Sequence, residues 1–133
     1  MAKSFTAQLA DFEKLTVKNL RYVAAESVQD VMEGAMTPAR GISKGGNYEA
    51  GKIPVAEAEL INSLTSDGVK GADSYTVAIA GFQIGEVMKF AWTAPHAMAK
   101  EVGTATQQGW HFVGLNARKF PQFVKKRASE VSK

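Results

Sequence analysis

The chain contains no cysteine, which excludes disulfide bonds, thiolate metal sites and cysteine nucleophiles. It also has no apolar run near the ~20 residues that span a bilayer, and no apolar block follows Met1. We therefore expect a protein that is made and kept in a cytoplasm. A length of 133 residues predicts a single domain with one core, residues 1–133.

Charge is present in modest amounts, with 16 basic and 13 acidic side chains. The basic residues crowd the end of the chain, where Glu130 is the acidic exception among Lys119, Lys125, Lys126, Arg127 and Lys133. Such a cluster is typical of a solvated helix face, and it is also typical of a weak, sequence-independent contact with phosphates. Hydrophobic residues at 45% favour a globular domain over a disordered chain.

Few helix breakers interrupt residues 6–36, and apolar side chains recur there at three- and four-residue steps. This periodicity predicts a long helix that ends at Gly34 and Pro38. A second helix is predicted near the C-terminus, where Phe120, Phe123 and Val124 share a face and Pro121 suits the first turn.

Between these helices the pattern changes. Residues 40–52 are rich in glycine and predict a flexible loop, which either serves as a plain surface connection or orders against a neighbouring molecule. A short helix is predicted over residues 54–63, followed by a turn at Ser66-Asp67-Gly68.

Residues 75–80 and 86–92 alternate in side-chain size and predict two strands that pair as an antiparallel hairpin, with Trp92 in the core. Thr93 is then expected to cap a short helix that Gly103 ends. The fold class predicted is α+β, with a long N-terminal helix and a C-terminal helix packed on a small twisted antiparallel β-sheet.

Residue patterns that suggest chemistry are incomplete. Residues 46–52 match the start of a phosphate-binding loop, but Ile53 and Pro54 replace the required hydroxyl and helix start. His96 and His111 are the two histidines, and we interpret both as packing residues rather than as a metal site or a base. No nucleophile motif or close carboxylate pair is present, so no catalysis, metal or cofactor is expected.

Two motifs resemble the small neck and tail-completion proteins of long-tailed bacteriophages. The family pattern of an aromatic residue, Ala, Glu and Gly-Thr is matched by Ala97, Glu101, Gly103 and Thr104, with His96 in the aromatic position. A second family element is matched by Pro54, Val55, Leu60 and Ser63, whereas Ala56, Glu57 and Ala58 stand where the family has Asp-Thr-Gly.

This resemblance implies a non-enzymatic virion protein of the neck, forming a homo-oligomeric ring, a hexamer or a dodecamer, that joins the head connector to the tail. Its partners would be copies of itself, the head-completion or connector proteins, and the tail terminator or tail tube proteins; no membrane or small molecule is expected. It would assemble in the host bacterial cytoplasm. Residues in the two polar loops are the candidate oligomer or partner contacts: Gly41, Lys44, Asn47, Tyr48, Lys52, Gln107 and Trp110.

Further alternatives stay open. The ring could instead be a tail terminator that caps the tail tube. The chain could be a small basic nucleic-acid-binding module, and in a ring Lys125, Lys126 and Arg127 could face DNA in the lumen. Trp110 suits either an exposed anchor or a buried packing residue.

Overall fold

A computed structural model describes residues 4–39, 49–54, 59–105 and 107–131. Its longest element is helix α1, Phe5–Ala35, whose first turn is capped by the Ser4 hydroxyl accepting the Ala7 N–H at 3.2 Å. The helix ends at Ala35, between Gly34 and Pro38, where the sequence predicted its end. The predicted long N-terminal helix is confirmed.

A second layer follows α1. Strands β1 (Pro38–Ala39) and β2 (Ile53–Pro54) form a short parallel pair that brings together the two sides of residues 40–52. Helix α2 (Glu59–Asn62) leads into β3 (Leu64–Ser66), and β4 (Val69–Lys70) returns antiparallel to it. The turn between them is Asp67-Gly68, where φ is 51° and 87°, the two positive angles that a tight hairpin turn requires.

The remaining elements complete an α+β architecture. They are α3 (Ser74–Ala80), β5 (Phe90–Trp92), α4 (Ala97–Val102), α5 (Gly114–Ala117) and α6 (Phe120–Val131). Strand β5 pairs antiparallel with β3, giving a three-stranded sheet in the order β4-β3-β5. The predicted α+β fold class, with a long N-terminal helix, a C-terminal helix and a small antiparallel sheet, is confirmed.

The core lies where α1, the sheet and the segment before α5 meet. Met32 and Met36 from α1 are buried with Leu64 of β3 and with Phe112. Trp92 packs its ring edge against Phe112, with 5.3 Å between ring centroids and 81° between planes. Trp92 therefore packs against the core, as its alternation with Met88 and Phe90 predicted.

The predicted strand over residues 75–80 is wrong, because this segment is helix α3. Tyr75 and Ile79 face the core while Val77, between them, is 76% exposed. Apolar residues four apart satisfy both a period of two and a helical turn, so alternation over six residues could not separate the two structures. The hairpin partner of β5 is β3, a strand too short for its pattern to be recognised.

The cap predicted at Thr93 is also wrong. Helix α4 begins after His96, which makes no side-chain capping bond. The Thr93 hydroxyl instead donates to the Ser63 carbonyl oxygen at 3.0 Å, alongside the Thr93 N–H at 3.1 Å. Thr93 therefore extends the β3–β5 ladder rather than starting the helix.

Helix α6 packs antiparallel along the C-terminal half of α1 and is fixed there by Arg127. The Arg127 guanidinium donates two bonds to the Asp30 carboxylate, at 2.9 and 2.8 Å, and lies 3.3 Å from Glu130. Charge-assisted bidentate pairs of this kind are the stronger class of hydrogen bond, and they raise the pKa of Arg127 further above its usual range. At the end of α6 the Tyr22 hydroxyl donates to the Glu130 carboxylate.

This last bond gives the helix pair a pH dependence. The hydrogen bond to Glu130 raises the pKa of Tyr22 above its usual 10.0, and the same bond lowers the pKa of Glu130 below its usual 4.5. The Tyr22 contribution to stability is therefore present below pH 10.0 and is lost as the pH rises through its folded pKa. The Glu130 contribution is present above pH 4.5 and is lost as the pH falls through its folded pKa.

We expect Tyr22→Phe to flatten the fall in melting temperature between about pH 9 and pH 11.5, because the variant cannot form a phenolate beside Glu130. Thermal melts of both proteins across that range measure it. A residual slope is expected in the variant, since burial also raises the pKa of Tyr75. Equal slopes in the two proteins would show that the Tyr22–Glu130 bond does not stabilise the helix pair.

Candidate functional site

The Glu101 carboxylate organises the segment that carries the first motif. From the end of α4 its two oxygens accept the N–H groups of Val113 and Gly114, each at 2.9 Å. These donors lie at the start of α5, where no intrahelical acceptor exists for them. Glu101 therefore ties the end of one helix to the beginning of the next, and the chain between them returns as a loop.

Within that loop, Gly103 adopts a conformation that only glycine tolerates. Its φ and ψ are 89° and 174°, and a Cβ at this position would lie 2.7 Å from the Gly109 nitrogen and 2.9 Å from the Gln107 carbonyl oxygen. Thr104 closes the loop, with its N–H donating to the Gln107 carbonyl at 2.9 Å and its hydroxyl accepting the Gln107 N–H at 3.1 Å. Glu101, Gly103 and Thr104 thus shape one tight loop, as expected for a motif that presents residues 104–110.

Of the predicted contact residues in this loop, Gln107 is exposed and Trp110 is not. Trp110 is only 8% exposed and belongs to the core cluster. Its N–H donates to the Lys100 carbonyl at 2.7 Å, and its own carbonyl accepts the Gly51 N–H at 2.7 Å. The reading of Trp110 as an exposed anchor is therefore wrong, and its ring holds the returning loop against the domain.

Asn116 holds Gly51, near the end of the predicted loop over residues 40–52, beside the segment that carries Trp110. Its side-chain amide donates to the Gly51 carbonyl at 2.8 Å and to the Phe112 carbonyl at 2.7 Å. The amide packs so closely on α1 that a Cβ on Gly34 would lie 2.1 Å from its oxygen. The glycine-rich segment thus begins and ends at the core, and Lys52, the predicted contact beside it, pairs with Glu49 at 2.9 Å.

The remaining loop candidates, Gly41, Lys44, Asn47 and Tyr48, lie outside the described residues, as does Val55 of the second motif. The other residues of that motif are structural. Pro54 is buried in β2 and Leu60 in the core, while the Ser63 hydroxyl donates to the Leu60 carbonyl at 2.7 Å.

The two histidines differ in environment. His96 is half-buried, as expected for a packing residue, and Ala97 beside it packs on the core. His111 is exposed with a φ of 52°, so its predicted apolar contact is not formed. Among the described residues, no group of three or more His, Asp or Glu side chains is arranged to hold a metal ion.

The residues of the predicted basic cluster on α6 differ in their contacts. Lys125 and Lys126 are exposed, whereas Arg127 is committed to Asp30 and Glu130. Because an arginine saturated by carboxylates has little capacity left for a phosphate, Arg127 is removed from the predicted DNA contacts.

An apolar surface that the sequence analysis did not assign to any site lies on the first half of α1. Residues 6–20, which we call the α1 arm, extend beyond the end of α6 and are almost entirely exposed. Large apolar side chains on the arm are open to solvent: Leu9 52%, Phe12 68%, Leu15 55%, Val17 46% and Leu20 55%. The signal in the sequence was the apolar periodicity itself, which continues through residues 9–20.

A shallow groove of about 440 Å³ adjoins β5 and α4. It is lined mostly by apolar side chains, among them Phe90, Trp92, Met98 and Phe112. The one carboxylate on its wall, that of Glu101, is already occupied by two backbone N–H groups. No helix in the described parts of the chain is long and apolar enough to cross a membrane.

No family model, curated protein or solved structure matches this chain.

We expect Gly103→Ala to destabilise the fold by about 1–3 kcal/mol, because the new Cβ meets backbone atoms in a strained conformation. Gly81→Ala is the matched control, since its Cβ finds ordinary spacing of 3.7 Å and its φ is negative. Urea unfolding of the two variants measures the difference. Equal midpoints would show that the loop accommodates a side chain at Gly103.

Proposed function

We propose that this chain is a non-catalytic subunit of a homo-oligomeric ring, acting as a neck or tail-completion component that joins a phage head connector to the tail. The tail-completion assignment is supported by the two motifs, and the oligomer by the α1 arm. The described residues that match the first motif build one loop around Glu101, which gives that match a structural reason.

The α1 arm is the observation that carries the proposal. It rises about 22 Å, at 1.5 Å per residue, and among the described residues no other helix or strand covers most of its apolar side chains. Isolated helices of this length are marginal in water, and their stability in proteins comes from packing an apolar face. A large contiguous apolar patch on a surface marks a protein contact, so the arm is suited to be covered by another subunit.

The arm also continues an interface that already exists within the subunit. Phe12, Leu15, Asn19, Tyr22 and Glu26 follow at steps of three or four, so they lie along one face of α1. Helix α6 covers the Tyr22 end of this face, and Leu15 and Phe12 extend the same face beyond it. A helical segment of a neighbouring copy can therefore pack on the part of this face that α6 does not cover.

Contacts between an arm and a different surface of the next copy are head-to-tail, and such contacts close into a ring when the rotation divides a circle. By the resemblance, that ring would lie between connector and tail tube and keep the channel open. Lys125 and Lys126 are the exposed α6 cations that could contact passing DNA, and they are too few for tight capture.

We expect the double variant Phe12→Gln/Leu15→Gln to lose the oligomer while keeping the folded subunit. Each truncated anchor at a protein interface costs about 1–2 kcal/mol or more, so the pair should weaken assembly by roughly 100-fold. The free energy of unfolding of the subunit should change by less than about 0.5 kcal/mol, because both side chains are exposed. Mass in solution and urea unfolding measure the two effects.

Val77→Gln provides the control, because Val77 is an apolar side chain that is 76% exposed and belongs to α3 rather than to the arm. It should leave the oligomer intact. A double variant that assembles as well as this control would remove the arm from the subunit interface.

The virion role has a separate test. Deleting the chain from the genome that encodes it should give filled heads and tails that do not join, visible by electron microscopy, and the wild-type chain supplied in trans should restore them. Particles with firmly attached, genome-delivering tails in the deletion would end the assignment, whatever the oligomeric state.

A further inference from the structure

Among the described strands, none pairs with the outer edge of β5. On its inner side the Thr93 N–H donates to the Ser63 carbonyl at 3.1 Å, and the Asp67 N–H donates to the Lys89 carbonyl at 2.8 Å. Because main-chain groups alternate in direction along a strand, those of Phe90 and Trp92 point away from β3. Among the described residues, no hydrogen-bond partner faces them there.

The strand pattern in the sequence is longer than the strand that forms. Residues 86–92 alternate in side-chain size, but the strand itself comprises only Phe90–Trp92. Met88, Phe90 and Trp92 lie half-buried, while Val87 is 76% exposed and Lys89 and Ala91 are exposed. A segment patterned for pairing, with free backbone groups on one side, is suited to accept a further strand.

We propose that a second copy of this chain pairs with this edge, β5 against β5, antiparallel about a two-fold axis at Phe90. Phe90 then faces Phe90 of the partner subunit, and Met88 faces Trp92 of the partner subunit. Each of these residues directs its main-chain groups outward, so the pairs are the hydrogen-bonded ones of the ladder. The two three-stranded sheets become one six-stranded sheet with Met88, Phe90 and Trp92 of both copies on a common apolar face.

The charges favour this register over its neighbours. With the axis at Phe90, Lys89 lies opposite Ala91 of the partner subunit, and exposed Val87 gains Thr93 of the partner subunit as a cross-strand neighbour. An axis at Lys89 would place two lysines directly opposite one another, which is destabilising. An axis at Ala91 would bring Met88 opposite Ala94, next to Pro95, and lose the match of Met88 with Trp92.

This contact is independent of the ring proposed above, because it uses the sheet edge and not the α1 arm. It is self-complementary, whereas a ring contact is head-to-tail.

The test substitutes Ala91. Its side chain is exposed, and the residue pairs with Thr65 of β3 through the strand ladder. In the Ala91→Lys variant, the new lysine lies opposite Lys89 of the partner subunit, and the two-fold axis repeats this repulsive pair. We expect the dissociation constant of the β5 pair to rise about tenfold. Ala91→Glu is the matched control, a long side chain of opposite charge. Its carboxylate would lie opposite Lys89 of the partner subunit at both symmetry-related positions, so the dissociation constant should fall about threefold. Sedimentation of the full-length variants, each also carrying Phe12→Gln/Leu15→Gln to remove the arm contact, measures both constants.

Hydrogen exchange on the same proteins gives the second readout. The amides of Phe90 and Trp92 should become protected as concentration rises, and the Ala91 amide should be protected throughout. Opposite effects of the two substitutions with this protection support the pairing. Association that both substitutions weaken, association that neither alters, or amides at Phe90 and Trp92 that exchange freely at every concentration would each overturn it.

Discussion

The packing of Asn116 on Gly34 is the constraint on which the rest of the structure depends. The buried amide reaches α1 only because Gly34 has no side chain, and from there it donates to carbonyls on both sides of it, at Gly51 and Phe112. A buried amide without these partners would carry a desolvation penalty. The Asn116 side chain therefore favours a structure in which α1, the segment at Gly51 and the segment at Phe112 are packed together. This places the end of the glycine-rich loop, the start of α5 and the middle of the core at one point on the long helix.

Around this centre, charged side chains join the elements to one another, although the buried Ser27 Oγ and Trp92 Nε1 atoms have no hydrogen-bond partner among the described residues. Glu101 joins α4 to α5, Arg21 donates to the Ala80 and Phe82 carbonyls at the end of α3, and Arg127 fixes α6. In contrast, the α1 arm presents apolar side chains to solvent, and the outer edge of β5 has no hydrogen-bonded partner strand among the described residues. A subunit that leaves apolar side chains exposed on one helix is suited to assembly, and the α1 arm is the basis of the proposed ring.

Prediction from sequence succeeded where one element's signal was long. The helices over residues 6–36 and 120–131 extend over several turns, and Gly103 ended α4 as expected. It failed over residues 75–80, where six residues fit two periods, and it missed β3 and β4, whose two or three residues carry no period at all. At the candidate site, the importance of Glu101 and Gly103 was readable from the motif, but the burial of Trp110 and the pairing of Arg127 were not, because both depend on segments distant in the chain.

The sequence by itself determined the α+β class, the N-terminal and C-terminal helices and the ending of α4 at Gly103, because these follow from local periodicity and backbone sterics. The lack of cysteine excluded thiol chemistry directly. Tertiary structure alone decided which strand β5 pairs with, which cations remain free and which half of α1 has a partner. Those outcomes depend on contacts between residues far apart in sequence, where burial and competing hydrogen-bond partners, rather than local preference, set the free energy.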